Sequence, residues 1–177
     1  MMKNTELRKL SNTKKTVLMA LFFAMCVILS YVEHSLPPIP FFPPGTKLGL
    51  SNVVVMYTLI FIGRGEAFTL AVLKSLFVFM TRGAMAGFLS MSGGVSSVLI
   101  MCITLALMKD KSTYVLLSVL GAMFHNIGQF IAISTIIGSL ALLMYLPVLV
   151  MLGIFAGIAT AVVLKFVMPA FSRIFSN

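Results

Sequence analysis

The chain has 177 residues, 60% of them hydrophobic and 10% charged, with a mean hydropathy of +1.11 and a formal net charge of +9. A soluble domain carries about a quarter charged residues, so no water-soluble fold of this size hides so much apolar surface, and lipid is the expected solvent. The four acids, Glu6, Glu33, Glu66 and Asp110, are too few and too scattered for most carboxylate-based chemistry.

The cations are unevenly placed. Lys3, Arg8, Lys9, Lys14 and Lys15 all precede the first apolar segment. This is a topogenic pattern and requires no nucleic-acid partner. The first segment, 16–32, is too long for the apolar region of a cleaved signal peptide and lacks a small-x-small exit site, so it is expected to remain as a membrane span. Segment 36–45 then holds five of the seven prolines and should be an extended, stiff outer loop. Its Phe41 and Phe42 make it apolar enough to lie at the interface as a connector or to fold over the bundle mouth as a lid. The remaining candidate spans are roughly 48–62, 67–80, 88–108, 114–137 and 140–168. The second and third spans are short, and the sixth is long enough to tilt or to break at Pro147. Cys26 and Cys102 lie in apolar segments with no metal-ligand spacing around them, and they read as small hydrophobes. No metal or cofactor is expected.

Orientation follows from the Lys and Arg positions. With the N-terminus inside, Lys3, Arg8, Lys9, Lys14, Lys15, Arg64, Lys109, Lys111, Lys165 and Arg173 fall on the cytoplasmic side, against Lys47 and Arg82 outside. The expected fold is an all-α, multi-pass protein of the cell membrane. It has six transmembrane helices and both termini in the cytoplasm. A basic segment, 1–15, precedes a six-helix membrane domain, 16–177.

Lys74 is the most informative residue, because an ammonium at bilayer depth costs several kcal/mol unless something answers its charge. The orientation places Asn52, Lys74, Ser90, Ser92, Ser96, His125, Asn126 and Gln129 at or outside the midplane, with Arg82 at the outer mouth. The inner halves of these spans are much more apolar. That asymmetry predicts a pocket open to the outside; a pore would need polar lining on both sides. His125 and Gln129 are an i, i+4 pair on one face, with Gly121 and Gly128 near the same stripe. They suit either ligand contact or a hydrogen-bonded seam between helices. Lys74 either meets a ligand, or it snorkels or pairs with a carbonyl or Glu33, and Arg82 is either a ligand contact or an interfacial anchor. The candidate substrate-binding set is Asn52, Lys74, Arg82, Ser92, Ser96, His125, Asn126 and Gln129. Outer-half cations outnumber Glu33, the one acid there, so an anionic guest with an apolar body is expected.

Ala20 and Ala24 form a small-xxx-small pair, and Gly153, Gly157 and Ala161 form another. No P-loop is present, so the chain itself has no means of coupling ATP hydrolysis. Asp110 is the only aspartate, so there is no aspartate-rich motif for Mg-diphosphate and no visible nucleophile–base–acid set. The chain is not expected to be an enzyme.

The six-span layout joins several motifs: Ala20-xxx-Ala24, Lys47-Leu-Gly-Leu-Ser-Asn52, Phe88-Leu-Ser-Met-Ser-Gly-Gly94 and Gly121-Ala-Met-Phe-His-Asn-Ile-Gly-Gln129. With these the chain resembles the substrate-binding S components of energy-coupling factor transporters, in the branch called Gx transporters, often labelled heptaprenyl diphosphate synthase component I. The resemblance covers nearly everything after residue 15. It implies a six-helix protein that captures a micronutrient outside and associates with a transmembrane coupling subunit and two cytoplasmic ATPases. Toppling in the membrane would carry the ligand inward. Ala20 and Ala24 would face the coupling subunit. The synthase label suggests a quinone or isoprenoid precursor as ligand, or a role as membrane accessory subunit of a prenyl diphosphate synthase.

Overall fold

A computed structural model describes residues 11–35, 49–108, 112–138, 144 and 146–175. The proline-rich segment 36–45, Lys47, residues 1–10, Lys109 and Lys111 lie outside the described residues, and so do the expectations placed on them. Six α-helices follow one another: α1 (Asn12–Ser35), α2 (Leu50–Phe61), α3 (Arg64–Arg82), α4 (Ala84–Met108), α5 (Tyr114–Ile137) and α6 (Leu146–Phe175). Each expected span corresponds to one helix. α1 and α3 run past their apolar stretches to take in Lys14, Lys15, Arg64 and Arg82, whose long side chains carry charge away from an apolar body. Pro147 sits in the first turn of α6, where its missing N–H is no loss, so it opens the helix and does not break it.

Among the described residues four stretches are long and apolar enough to cross a membrane: Asn12–Glu33, Ala84–Met108, Tyr114–Ile137 and Leu146–Phe166. Their outward faces expose large side chains such as Val17, Ile28, Ile103, Ile131 and Phe155. Water would penalise that surface; lipid covers it. The chain is therefore an all-helical, membrane-embedded protein.

α2 behaves differently. Its twelve residues span about 18 Å, less than a bilayer core, and Ser51 and every residue from Val53 to Ile60 are buried. A helix that is apolar all round belongs inside a bundle, and α2 touches each of the other five helices. Around it the chain runs antiparallel. At one end Lys15 of α1 pairs with Glu66 of α3. At the other, Arg82 Nη2 donates to Ser30 O at 3.0 Å and the Gly49 N–H donates to Glu33. Near the Glu66 end Phe22, Leu59, Leu70 and Leu164 are all under 2% exposed, and Phe22 meets Tyr57 edge-on with centroids 5.5 Å apart. α5 and α6 pack closely where Gly153 faces Met123 and Gly157 faces Val119. Ala20 and Ala24 stand exposed on α1.

Candidate ligand-binding site

The site begins with the buried ammonium of Lys74, 9% exposed. Its Nζ donates to Asn52 Oδ1 at 2.8 Å. Asn52 lies in the first turn of α2, and its own N–H donates to Gly49 O at 2.8 Å. Gly49 caps that helix at φ +76°, a left-handed conformation that glycine reaches without strain. This turn aims the Gly49 N–H at the Glu33 carboxylate near the end of α1. One continuous relay therefore runs from α1 through the start of α2 to the middle of α3. Lys74 lies eight residues beyond Glu66, about 12 Å along the helix axis, well inside the bundle.

α4 brings a second polar group to the same depth. A Cβ on Gly93 would sit 2.7 Å from Gln129 Cγ and 2.9 Å from the His125 ring, while one on Gly94 would sit 3.6 Å from Ala71. The adjacent glycines thus admit α5 on one flank and α3 on the other. His125 and Gln129 arrive opposite Lys74 for that reason. One turn toward the Lys74 side, Ser75 Oγ donates to Ala71 O at 2.8 Å and lies 3.3 Å from Ser90 Oγ.

Between these walls is a cavity of about 450 Å³. Its lining includes Ser30, Glu33, Gly49, Asn52 and Lys74 toward one end and Met101, Ser118 and Thr160 at its depth. Beyond those, toward Glu66, the packed layer of Leu59, Leu70 and Leu164 begins. The cavity is blind in that direction.

Of the residues singled out in the sequence, Asn52, Lys74, His125, Asn126 and Gln129 line this cavity together. Arg82, Ser92 and Ser96 are not among its lining residues. Arg82 ties α3 to α1 through Ser30 O. Ser92 Oγ donates to Gly128 O at 2.7 Å, and Ser96 packs against Gly128, so both belong to the α4–α5 seam. Asn126 has both roles: it lines the cavity and its Nδ2 donates to Leu149 O of α6 at 3.1 Å.

The sequence offered Glu33 as a possible partner for Lys74 and not as a substrate-binding residue. The available signal was that Glu33 is the one acid of its half, but its position against Gly49 depends on the turn into α2. Ser97, Ser118 and Thr160 gave no usable signal. A hydroxyl in an apolar helix is as easily satisfied by its own preceding turn, as Thr58 and Thr104 are by Val54 O and Ile100 O. Among the described residues no three His, Cys, Asp or Glu side chains gather as a metal site. What the arrangement offers is recognition: an ammonium, a carboxylate, amides and an imidazole around a blind apolar cavity.

A comparison with family models matches residues 22–167 to heptaprenyl diphosphate synthase component I. Neither the curated proteins nor the solved structures yield a match. The matched stretch takes in all the helices that build the cavity except residues 12–21 of α1 and 168–175 of α6, and the chain belongs to the heptaprenyl diphosphate synthase component I family.

Proposed function

We propose that this protein is the substrate-binding S component of an energy-coupling factor transporter. It crosses the cell membrane six times with both termini in the cytoplasm. It captures from outside a small, partly apolar compound bearing an anionic group, in the class of a micronutrient or a quinone or isoprenoid precursor. A transmembrane coupling subunit and two cytoplasmic ATPases then drive uptake, and the chain itself is not an enzyme. Ala20 and Ala24, exposed on α1, are the surface assigned to the coupling subunit.

The observation that carries this reading is the buried Lys74 at the wall of a blind cavity. An intramembrane cation is retained where it meets a partner or a ligand, and the one hydrogen bond described for Nζ goes to a neutral amide. A cavity that ends in packed leucines suits capture and release from one side more than free conduction. The synthase component in the family's description sits poorly with a chain whose single aspartate is Asp110, since Mg-diphosphate sites need clustered carboxylates.

The test is affinity purification of the tagged, full-length chain from its own membranes. Two ATPases and a membrane coupling subunit should co-purify, and native mass spectrometry should find a retained small molecule that is lost in Lys74→Met. Recovery of a soluble, aspartate-rich prenyl diphosphate synthase, with no ATPase, would overturn the assignment.

A further inference from the structure

We infer that the cavity is built for a zwitterion: a compound whose acidic group sits at Lys74 and whose cationic nitrogen sits at Glu33, with an apolar body reaching inward. This rests on reading the cavity as a ligand site and narrows what that site accepts.

Lys74 and Glu33 both line the cavity, and both are 9% exposed. Two opposite charges in an apolar interior gain most by direct contact, because an isolated buried charge is costly and a close pair offsets much of that cost. Here they are held apart. Glu33 accepts from the Gly49 N–H, and Lys74 donates to Asn52 Oδ1. The spacer between them is closed by its own hydrogen bond. Gly49 is fixed in its left-handed turn, and the Asn52 N–H closes back on Gly49 O. The protein has placed a neutral backbone-and-amide wedge where an ion pair would have formed.

Each charge keeps capacity for a guest. An ammonium has three donors, and one is spent on Asn52; a carboxylate has two oxygens with about four acceptor positions, and the Gly49 N–H takes one. Among the described residues another cation near this end, Arg82, points to Ser30 O and is not part of the lining. Among the described residues the charged lining is thus one cation and one anion. A guest with an acid alone would answer Lys74 and leave Glu33 with only the Gly49 N–H. A guest carrying both signs answers both. Met56, Val78, Leu89, Met101 and Phe130 supply apolar wall for the rest of the molecule.

The probes are three compounds with one aromatic ring and one spacer: phenylalanine, 3-phenylpropionate and 2-phenylethylamine. Binding is measured by calorimetry on the full chain in lipid nanodiscs. Phenylalanine should bind about tenfold or more tighter than either singly charged analogue. Glu33→Gln keeps an acceptor for the Gly49 N–H and removes only the charge. It should abolish the advantage of phenylalanine over phenylpropionate, with the thermal midpoint unchanged. Lys74→Met should abolish the advantage over phenylethylamine. Equal binding of phenylpropionate and phenylalanine, an unchanged ranking in Glu33→Gln, or no binding of any probe overturns the zwitterion assignment. Co-purification of the ATPases is read separately: their presence alongside a purely anionic preference would sink this inference and leave the transport reading standing.

Discussion

The two ends of the bundle are made from the same helices and use their interior in opposite ways. Toward Glu66, Phe22, Leu59, Leu70 and Leu164 fill the space around α2. Toward Arg82, the same helices leave about 450 Å³ open and put a lysine and a glutamate at its wall. In lipid, apolar helices gain little from hiding apolar surface, since the surrounding tails are as apolar as leucine. The packed end is held by dispersion between close-fitting side chains. The open end forgoes those contacts and is braced by hydrogen bonds between helices: Arg82 to Ser30, Gly49 to Glu33, Ser92 to Gly128 and Asn126 to Leu149. Close packing and a polar-lined cavity thus occupy different depths of one bundle.

Substitutions at the two ends should therefore separate stability from binding. Leu59→Ala has the largest expected effect on folding. It opens a void in the packed layer and should lower unfolding free energy by on the order of 3 kcal/mol, read by equilibrium denaturation in mixed micelles. Ligand affinity of the folded fraction should hold. If Leu59→Ala left stability untouched, the packed end would not be the structural half.

Lys74→Met should give the reverse. Replacing the ammonium with an apolar side chain of similar length removes its desolvation cost but takes the donor from Asn52 Oδ1, so folding stability should fall by only about 1 kcal/mol. Affinity for the molecule retained on purification should fall about tenfold or more. Thermal midpoint and native mass spectrometry on one preparation separate the two readouts. A large fall in midpoint with the molecule still bound would make Lys74 a structural brace.

Lys15→Gln should have the smallest effect. Its pair with Glu66 is partly open, with side chains 32% and 22% exposed. Such pairs contribute about 0–1 kcal/mol and fade with salt. Denaturation midpoints of wild type and variant should differ by less than that and converge as ionic strength rises. A larger, salt-insensitive loss would show that the packed end depends on this ion pair as well as on its leucines.

The helices were legible in the sequence because apolar length and its punctuation are local properties. Expected segment 114–137 and helix α5 coincide, with Thr113 and Gly138 as its caps, and Gly83 marks the turn between α3 and α4. Lys74 was legible for an energetic reason: any lysine in such a run needs an explanation. Its partner was not. Glu33, a carbonyl and a ligand were all compatible with the sequence, and Asn52 takes the hydrogen bond. Arg82, Ser92 and Ser96 carried the same polar signal as Asn52 and His125, yet they tie helices together. Residue type gives a side chain's hydrogen-bonding capacity, and only its neighbours decide where that capacity is used.

The sequence by itself determined that this is a lipid-solvated helical chain with a lysine inside an apolar run, because hydropathy and charge act residue by residue. It also carried the family's motifs. The tertiary structure decided that α2 is an interior helix, since a run of twelve apolar residues is equally suited to lipid or to protein. It decided, too, that Glu33 joins the cavity and stands apart from Lys74. That depends on the left-handed turn at Gly49 and on how closely α3 and α5 approach α4 at Gly93 and Gly94, contacts between segments far apart in the chain.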